Sequence, residues 1–476
     1  MAIEVRPGTN DRLIDGTAAP GLARERSEII ARLERLPFTR FHFQAASILA
    51  VGTFFDAFDA VSIASVLTVI FTSLHIGFFN AGVLISAGYV GQFFGAWLFG
   101  FLSEAYGRKP AFVGAMLLFG ILSIATASAW DFRSLAVLRA IQGLGLGGEI
   151  PVATALFNEL LRTANRGRIS VTYQVMFQWG AMLSPAGALL CFSLFGQDAG
   201  WRAMFMIGGL PALVALYAWA ALPESPRWLV DKSRYRQADA ILRRIEALPR
   251  REPLPPLEMK PQPAPARMRV SELFIGIYAR RSVVLWILWF CAFFVTYGNA
   301  AWAPTLYVRI GGLTPNAALS LSIVTYAINV TTMYGQALLV DRVGRKPLLV
   351  AGFAISAVAA LAGALAMYRY SYTGWPILFG VTTAMGVGTA MQTILAFSYT
   401  AELYPTRMRG LGVATASSMS RLASILAPSL VGAILAARMG IDSVFTMFGV
   451  IALIGVAAVA TMGIETKNRS LEELSP

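Results

Sequence analysis

Long apolar segments alternate with short polar ones along the chain, and twelve of the apolar segments stand out. They lie at 43–71, 78–102, 111–130, 134–158, 169–195, 203–222, 282–308, 317–340, 347–368, 374–400, 410–437 and 443–463. Each can cross a hydrocarbon layer of about 30 Å as a helix. Only helices and closed barrels satisfy their backbone groups in lipid, and these segments are too long and continuous for barrel strands. The pattern predicts an all-α membrane protein with twelve transmembrane helices.

A polar segment rich in Arg, Glu and Pro separates the first six predicted helices from the last six. This composition predicts a loop between two halves that contains short amphipathic helices. The predicted parts are an N-terminal tail, a first six-helix half, a central loop, a second six-helix half and a C-terminal tail, at 1–42, 43–222, 223–281, 282–463 and 464–476.

Two short motifs occur once in each half. A carboxylate followed by Gly-Arg-Lys-Pro is found from Glu104 and again from Asp341, and a Glu followed seven residues later by Arg-Gly is found from Glu159 and again from Glu402. The offsets between the copies are similar. Two homologous halves in parallel repetition are therefore predicted, an arrangement that suits alternating access around a site at the membrane midplane.

Composition and charge agree with a membrane protein. Only 14% of the 476 residues are charged, the mean hydropathy is +0.61, and the apolar residues outnumber what one soluble core could bury. The net charge is +13, yet 32 of the 39 Lys and Arg residues fall in the tails and loops of one side. This asymmetry predicts that both termini are cytoplasmic. The positive charge therefore requires no nucleic-acid partner.

Several classes of protein are excluded by what the sequence lacks. The two cysteines, Cys191 and Cys291, lie singly in apolar segments, and there are only two histidines, so neither a disulfide framework nor a zinc site is expected. No phosphate-binding loop for an ATP-driven pump and no catalytic constellation is found. We expect a non-enzyme without cofactors, a monomer in the lipid of the inner membrane, whose partners are a small molecule and protons.

Five ionisable residues fall within the predicted helices, namely Asp56, Asp59, Arg139, Glu149 and Arg421. A charge at the bilayer centre is unfavourable by roughly 2.5–3.5 kcal/mol, so such residues usually mark a pathway. Asp56 and Asp59 share one helix face, and two close carboxylates form a proton site. We predict that these two residues couple transport to protons. The sequence leaves open which of the two carries the proton. The alternative is that one only hydrogen-bonds a neighbouring helix.

Arg421 lies near the middle of the eleventh helix. A guanidinium group there can bind a carboxylate through two hydrogen bonds, so we predict that it binds an anionic substrate. A structural pairing with Asp56 or Asp59 is the alternative, and the two roles can coexist. Arg139 could relay protons or form a structural pair, while a structural role is favoured for Glu149.

An aromatic stripe and several amides complete the predicted pocket. Phe290, Phe293 and Tyr297 lie on one face of the seventh helix, where they could stack on a planar ring or, alternatively, pack against other helices or lipid. The amides within spans that could bind substrate are Gln174, Gln178, Asn299, Asn329 and Gln392.

These motifs resemble those of the major facilitator superfamily over nearly the whole chain. Gly100–Lys109 resembles its signature between helices 2 and 3, with Glu104 for the usual Asp, and Arg139–Gly143 resembles its helix 4 signature. Pro223–Arg227 and Glu465–Lys467 resemble cytoplasmic motifs of sugar porters and their organic-ion relatives.

The resemblance implies a latch of clustered charges at the cytoplasmic helix ends, which breaks when the halves tilt. Its predicted members are Glu104, Gly107, Arg108, Arg139, Glu159, Arg166, Asp341, Gly344, Arg345, Glu402 and Arg409. The alternative is that these residues only cap helices and set the orientation in the membrane.

The substrate class also follows from resemblance. The spacing of Asp56 and Asp59 is similar to that in aromatic-acid/proton symporters and bacterial niacin porters, and a basic residue at position 421 is typical of anion carriers. Gln174 matches a sugar-binding Gln, but residues 283–300 contain no Gln, which argues against a hexose. The resemblance implies proton-coupled import of a small aromatic or heterocyclic carboxylate, and nicotinate is the best single candidate for the substrate. A sugar or polyol symporter, an organic-ion or drug exporter and a ligand sensor are the alternatives.

Overall fold

The computed structural model describes residues 20–161, 166–248, 254–257, 270–370, 374–467 and 469, and their secondary structure is entirely helical. The α-helices of this part of the chain are α1 Pro20–Glu34, α2 Arg40–Ser73, α3 Phe78–Tyr106, α4 Arg108–Ala127, α5 Phe132–Leu160, α6 Arg166–Ile207, α7 Leu210–Ala221, α8 Pro226–Asp231, α9 Tyr235–Glu246, α10 Ile277–Arg309, α11 Pro315–Val343, α12 Arg345–Tyr370, α13 Trp375–Leu403, α14 Thr406–Ala436 and α15 Ile441–Met462.

Eleven stretches are long and apolar enough to cross a membrane. One of them, Val175–Ala221, has 47 residues and would extend about 70 Å as one helix, more than twice the hydrocarbon thickness. Gly196 interrupts it with φ +74° and ψ 177°, between the predicted segments 169–195 and 203–222. Counted as two crossings, this stretch brings the total to twelve, and the predicted all-α membrane fold is confirmed.

The two halves pack together through the helix pairs α3–α14, α6–α11 and α2–α10, of which α3–α14 is the most extensive. The helices approach closely at Gly82, where an added Cβ would lie 2.7 Å from the carbonyl oxygen of Pro428. Small residues at helix interfaces in membranes permit such contact. Ser86 Oγ donates to the carbonyl oxygen of Ile425 over 2.6 Å and accepts from Ser429 Oγ over 2.7 Å. These bonds fasten one half to the other.

Several of the contacts between the halves lie toward one face of the membrane. The rings of Phe78 and Trp302 are 6.1 Å apart, and the guanidinium of Arg309 lies 4.9 Å from the ring of Phe71. An even number of crossings places both termini at the opposite face. The halves are therefore closed at the face remote from the termini.

Outside the membrane bundle, α1, α8 and α9 form a small group that we call the helical layer. Its apolar core includes Leu33, Trp228 and Leu242. Arg32 pairs with Asp239 at 2.5 Å and with Glu246 at 2.6 Å. The layer thus joins the predicted N-terminal tail to the predicted central loop.

The helical layer is fixed to the first half of the protein. Trp228 Nε1 donates to the carbonyl oxygen of Glu104 at the end of α3 over 3.0 Å. Arg227 pairs with Glu34 at 2.5 Å, so α8 is also fastened to α1.

Acidification is expected to loosen the helical layer. Hydrogen bonds from Arg32 hold the pKa of Asp239 below its usual value. Burial would raise the pKa of Glu246, but the bonds from Arg32 and Arg35 outweigh it and lower that pKa. A carboxyl group whose pKa falls on folding stabilises the fold above its unfolded pKa and loses this contribution as the pH falls. Amide hydrogen exchange in α9, corrected for intrinsic rates, should rise as the pH falls through about 4.

Arg32→Ala should remove most of this pH dependence, whereas Arg236→Ala on the exposed side of α9 should leave it intact. Protection of α9 that stays constant on acidification would contradict the role of these ion pairs.

Candidate functional site

A buried network ties Asp59 on α2 to α5. Arg139 Nη1 donates to Oδ2 of Asp59 over 2.7 Å, and Gln142 Nε2 donates to Oδ1 over 2.9 Å. Only 1% of the Asp59 side chain and 3% of the Arg139 side chain are exposed. Buried charges are stable when they are paired and hydrogen-bonded in this way. The structure therefore places Arg139, which its motif had grouped with the latch, in the middle of the first half with Asp59.

Asp56 lies one turn before Asp59 and has different surroundings. Its side chain is buried, and no described side chain forms a hydrogen bond or an ion pair with it. The charges that act on it include the attractive charge of Arg421 and the repulsive charges of Asp59 and of Glu149 on α5. A lone carboxylate in apolar surroundings is unfavourable. Asp56 therefore depends on a bound proton or on the positive charge of Arg421.

Arg421 lies midway along α14 and reaches across to the other half. Its Nη1 donates to Gln92 Oε1 on α3 over 2.6 Å, and the side chain is only half-buried. A guanidinium group carries five N–H donors, so donors remain for a ligand. Tyr297 on α10 lies within the electrostatic range of both Arg421 and Asp56. The predicted cation, one predicted proton carrier and one predicted aromatic are thus brought together.

The aromatic stripe divides between two environments. The rings of Phe293 and Tyr297 are 5.9 Å apart, and Tyr297 lies 5.0 Å from Tyr89 of the opposite half. Phe290 instead contacts Phe294 at 5.6 Å, and that residue packs against α15. Tyr297 therefore belongs to the cluster around Arg421. Phe293 lies between Tyr297 and Trp289, whose ring is 5.2 Å away in the same half, and the ring contact of Phe290 is directed into the second half.

Two of the predicted amides form hydrogen bonds inside the second half. Asn299 Nδ2 donates to the carbonyl oxygen of Thr382 over 2.9 Å, and Gln392 Nε2 donates to Ser356 Oγ over 3.4 Å. Both side chains are buried. These bonds join neighbouring helices of the half, and Gln392 Oε1 is buried without a hydrogen-bond partner among the described residues.

The other amides differ in position. Asn329 Oδ1 is buried without a described partner and lies 2.8 Å from the position of a Cβ at Gly386. Gln178 on α6 is half-buried. The side chain of Gln174 lies outside the described residues, so its predicted role stays a prediction.

Sequence reasoning missed three residues of the site. Gln92 holds Arg421, Tyr89 contacts Tyr297, and Gln142 bonds to Asp59. An amide in the middle of an apolar helix was a usable signal for Gln92, since such groups need a partner in lipid. Nothing in the spacing distinguished Tyr89 from other aromatic residues.

The first predicted charged cluster is built at the α3–α4 loop. Arg108 pairs with Glu159 at 3.0 Å and with Glu104 at 2.7 Å. Its backbone N–H donates to Glu224 Oε1 over 3.0 Å. Gly107 has φ +119°, and a side chain there would collide with Glu224, so glycine is required. Burial raises the pKa of Glu224.

The second cluster, at the α11–α12 loop, repeats this arrangement. Arg345 pairs with Asp341 at 3.0 Å and with Glu402 at 3.3 Å. Its backbone N–H donates to Glu465 Oε1 over 3.1 Å, and Gly344 has φ +109°. The two loops therefore share not only sequence but also cap geometry, as homologous halves require.

Both clusters join helices of the same half in this structure. Arg409 Nε likewise donates to a carbonyl oxygen of its own half, that of Ala401, over 2.9 Å. The side chain of Arg166 lies outside the described residues. Among the cluster members that are described, no bond crosses to the other half.

Twelve crossings in two similar halves, with a buried charged centre between them, define a major facilitator transporter. The chain belongs to the family described as "Sugar (and other) transporter", which matches residues 45–476. It is 29% identical to the niacin transporter NiaP of Acinetobacter baylyi, over 94% of this chain and 99% of that protein. It is 28% identical to the 4-hydroxybenzoate transporter PcaK of Pseudomonas putida, over 92% of this chain and 94% of that one.

A solved structure shows the same fold. The inward-open conformation of the xylose transporter XylE from E. coli matches with a TM-score of 0.70 and 18% identity, over 91% of this chain and 99% of that chain. The resemblance to the major facilitator superfamily is confirmed. The chain is a multi-pass membrane protein of a transporter family, consistent with the inner membrane, and the family carries small molecules rather than catalysing reactions.

Proposed function

We propose that the protein is a monomeric, proton-coupled importer of a small aromatic or heterocyclic carboxylate, with nicotinate the best candidate. The observation that carries the proposal is the position of Arg421, midway along α14, half-buried, and within electrostatic range of both Asp56 and Tyr297. The relatives named for niacin and for 4-hydroxybenzoate support it, because both ligands are aromatic acids.

Arg421 binds the carboxylate of the substrate with the donors that Gln92 leaves unused. A guanidinium group can bind a carboxylate through two parallel hydrogen bonds. The rings of Tyr297, Phe293 and Tyr89 form an aromatic cluster beside it, which offers faces and edges to a planar ring. A neutral sugar carries no negative charge that would compensate Arg421.

Coupling follows from the balance of charge around Arg421. While Asp56 is ionised, its negative charge is compensated by Arg421. A proton on Asp56 removes that charge and leaves Arg421 to a substrate carboxylate. Proton and substrate anion thus enter together, so that the site keeps a constant net charge. Asp59 keeps Arg139 compensated throughout.

Alternating access completes the cycle. With both termini cytoplasmic, the face closed by α3 and α14 is the outer one, and the structure is inward-facing. We propose that tilting of the halves opens this face and brings the cytoplasmic ends together, where the clusters of Arg108 and Arg345 form the latch.

The proposal is tested with the purified protein in liposomes and radiolabelled nicotinate. Uptake should accumulate substrate when the outside is acidic, and a protonophore should abolish the accumulation. Benzoate should compete, whereas xylose should not. Uptake that ignores an imposed pH gradient would contradict proton coupling, and competition by xylose alone would favour a sugar symporter. Outward accumulation under the same gradient would favour an exporter.

A further inference from the structure

Glu149 on α5 is a buried carboxyl group to which the proposed cycle assigns no role. Its exposed fraction is 0%. Its Oε1 lies 3.4 Å from Thr53 Oγ1 on α2 and 2.5 Å from the position of a Cβ at Gly52. Its Oε2 is buried and has no hydrogen-bond partner among the described residues.

No cation compensates Glu149. Arg139 is engaged by Asp59, and no ion pair of Glu149 exists within the part of the chain that the structure describes. The charged group that acts on it is Asp56, which has the same sign. The side chains that α3 and α4 bring near this point, Phe99 and Phe112, are apolar.

The hydrogen bonding of Thr53 agrees with a proton on Glu149. Thr53 Oγ1 lies 3.3 Å from the carbonyl oxygen of Leu49 and 3.4 Å from Glu149 Oε1. A hydroxyl group has one hydrogen to donate, and in helices threonine commonly donates it to the carbonyl four residues earlier. If Glu149 carries a proton, it can donate to Thr53, and both contacts are then satisfied at once.

The balance of charge also indicates that Glu149 carries a proton. The ionisable residues inside the membrane are three carboxyl groups and two arginines, so one proton neutralises the set. Asp59 is compensated by Arg139, and Asp56 is acted on by Arg421. Glu149 is the carboxyl group that remains. An uncompensated carboxylate in apolar surroundings is strongly unfavourable.

The position of Glu149 relates it to Asp56. Gly52, which Glu149 touches, precedes Asp56 by four residues and so lies on the same face of α2. One helical turn, about 5.4 Å, therefore separates the two levels. Glu149 is displaced from Asp56 toward the start of α2, the end nearer the termini.

We propose that Glu149 is a second proton-binding group of the transport cycle, which receives the proton from Asp56 and passes it toward the face that carries the termini. The inference rests on the proposed function, since it gives the transported proton its route away from the substrate site. Glu149 first releases its own proton toward that face. The Asp56 carboxyl then loses its proton, and the Glu149 carboxylate gains it. Glu149 thus resets Asp56 to its ionised form after the substrate leaves.

The test is Glu149→Gln, which imitates the protonated side chain in shape and cannot release a proton. In proteoliposomes, exchange of external labelled nicotinate for internal nicotinate requires no net proton movement and should stay within about threefold of wild type. Accumulation driven by a pH gradient should fall at least tenfold. The matched control is Glu28→Gln, an exposed carboxylate of α1, which should behave as wild type.

Gradient-driven accumulation by the E149Q protein at the wild-type level would overturn the proposal. Loss of exchange together with accumulation would also overturn it, because Glu149 would then serve the structure rather than the proton. Absence of both activities from the wild-type protein is a different outcome, which rejects the proposed function itself.

If E149Q does not reach the membrane, Glu149→Asp keeps a titratable group one methylene shorter. It should exchange nicotinate and still accumulate it, with a displaced pH optimum. An E149D protein that exchanges without accumulating, or accumulates with an unchanged pH profile, would overturn the proposal.

Discussion

Replacement of Arg421 by alanine is expected to lower the kcat/KM of nicotinate uptake by about 100-fold. Arg421 is the cation whose charge acts on Asp56 and Tyr297. It is half-buried, and its bond to Gln92 leaves donors for a ligand. Removing one partner of a desolvated, hydrogen-bonded charge pair typically weakens binding by about 2–5 kcal/mol, and every 1.4 kcal/mol is tenfold. Initial uptake rates in proteoliposomes measure the effect, and a ligand-induced shift in melting temperature measures the loss of binding separately.

Two further variants test whether the effect depends on the guanidinium group at position 421. Arg421→Lys keeps the charge but not the planar pair of donors, so its defect should be intermediate. Arg369→Ala removes an exposed arginine at the end of α12 and should have no effect. Arg421→Ala uptake within threefold of wild type would exclude Arg421 as the substrate's partner.

Replacement of Asp59 by asparagine is expected to destabilise the protein by about 3–5 kcal/mol, because it leaves the buried charge of Arg139 without compensation. Unfolding by denaturant in detergent, followed by fluorescence, measures this change. Arg139→Met should be destabilising for the same reason, since Asp59 is then left alone. The double variant should be less destabilised than the sum of the single ones, because neither charge remains.

Asp198→Asn is the matched control, since that carboxylate is exposed at a helix turn. A double variant whose destabilisation equals the sum of the two single ones would show that Asp59 and Arg139 do not act as a pair.

The fold was predictable because the bilayer imposes a simple requirement on sequence. Twenty or so apolar residues suffice to identify a span, whatever their neighbours, and the predicted segments correspond to the observed helices. The boundary between the fifth and sixth crossings is marked by a single non-helical residue rather than by a polar loop. There the helix resumes directly after Gly196, so the apolar pattern alone could not show how abruptly the chain turns.

The site was predictable only in part, because hydrogen-bond partners depend on which helix faces which. The helical spacing of Asp56 and Asp59 placed both on one face, yet it could not show that Arg139 on α5 would engage Asp59 alone. Likewise, equal spacing along α10 grouped Phe290 with Phe293, although its ring contact leads toward α15. Such distinctions arise from the packing of helices far apart in sequence.

Because the helical layer is attached to the first half, it should move together with that half. Trp228 holds the layer to the end of α3. A rocking motion of this half would therefore displace α9 by the same rotation. One label at exposed Arg236 and another at exposed Arg342 of the second half would therefore report the motion as a change in distance. Both positions are remote from Arg421 and Asp56, so the motion could be followed in a single molecule without replacing a residue of that centre.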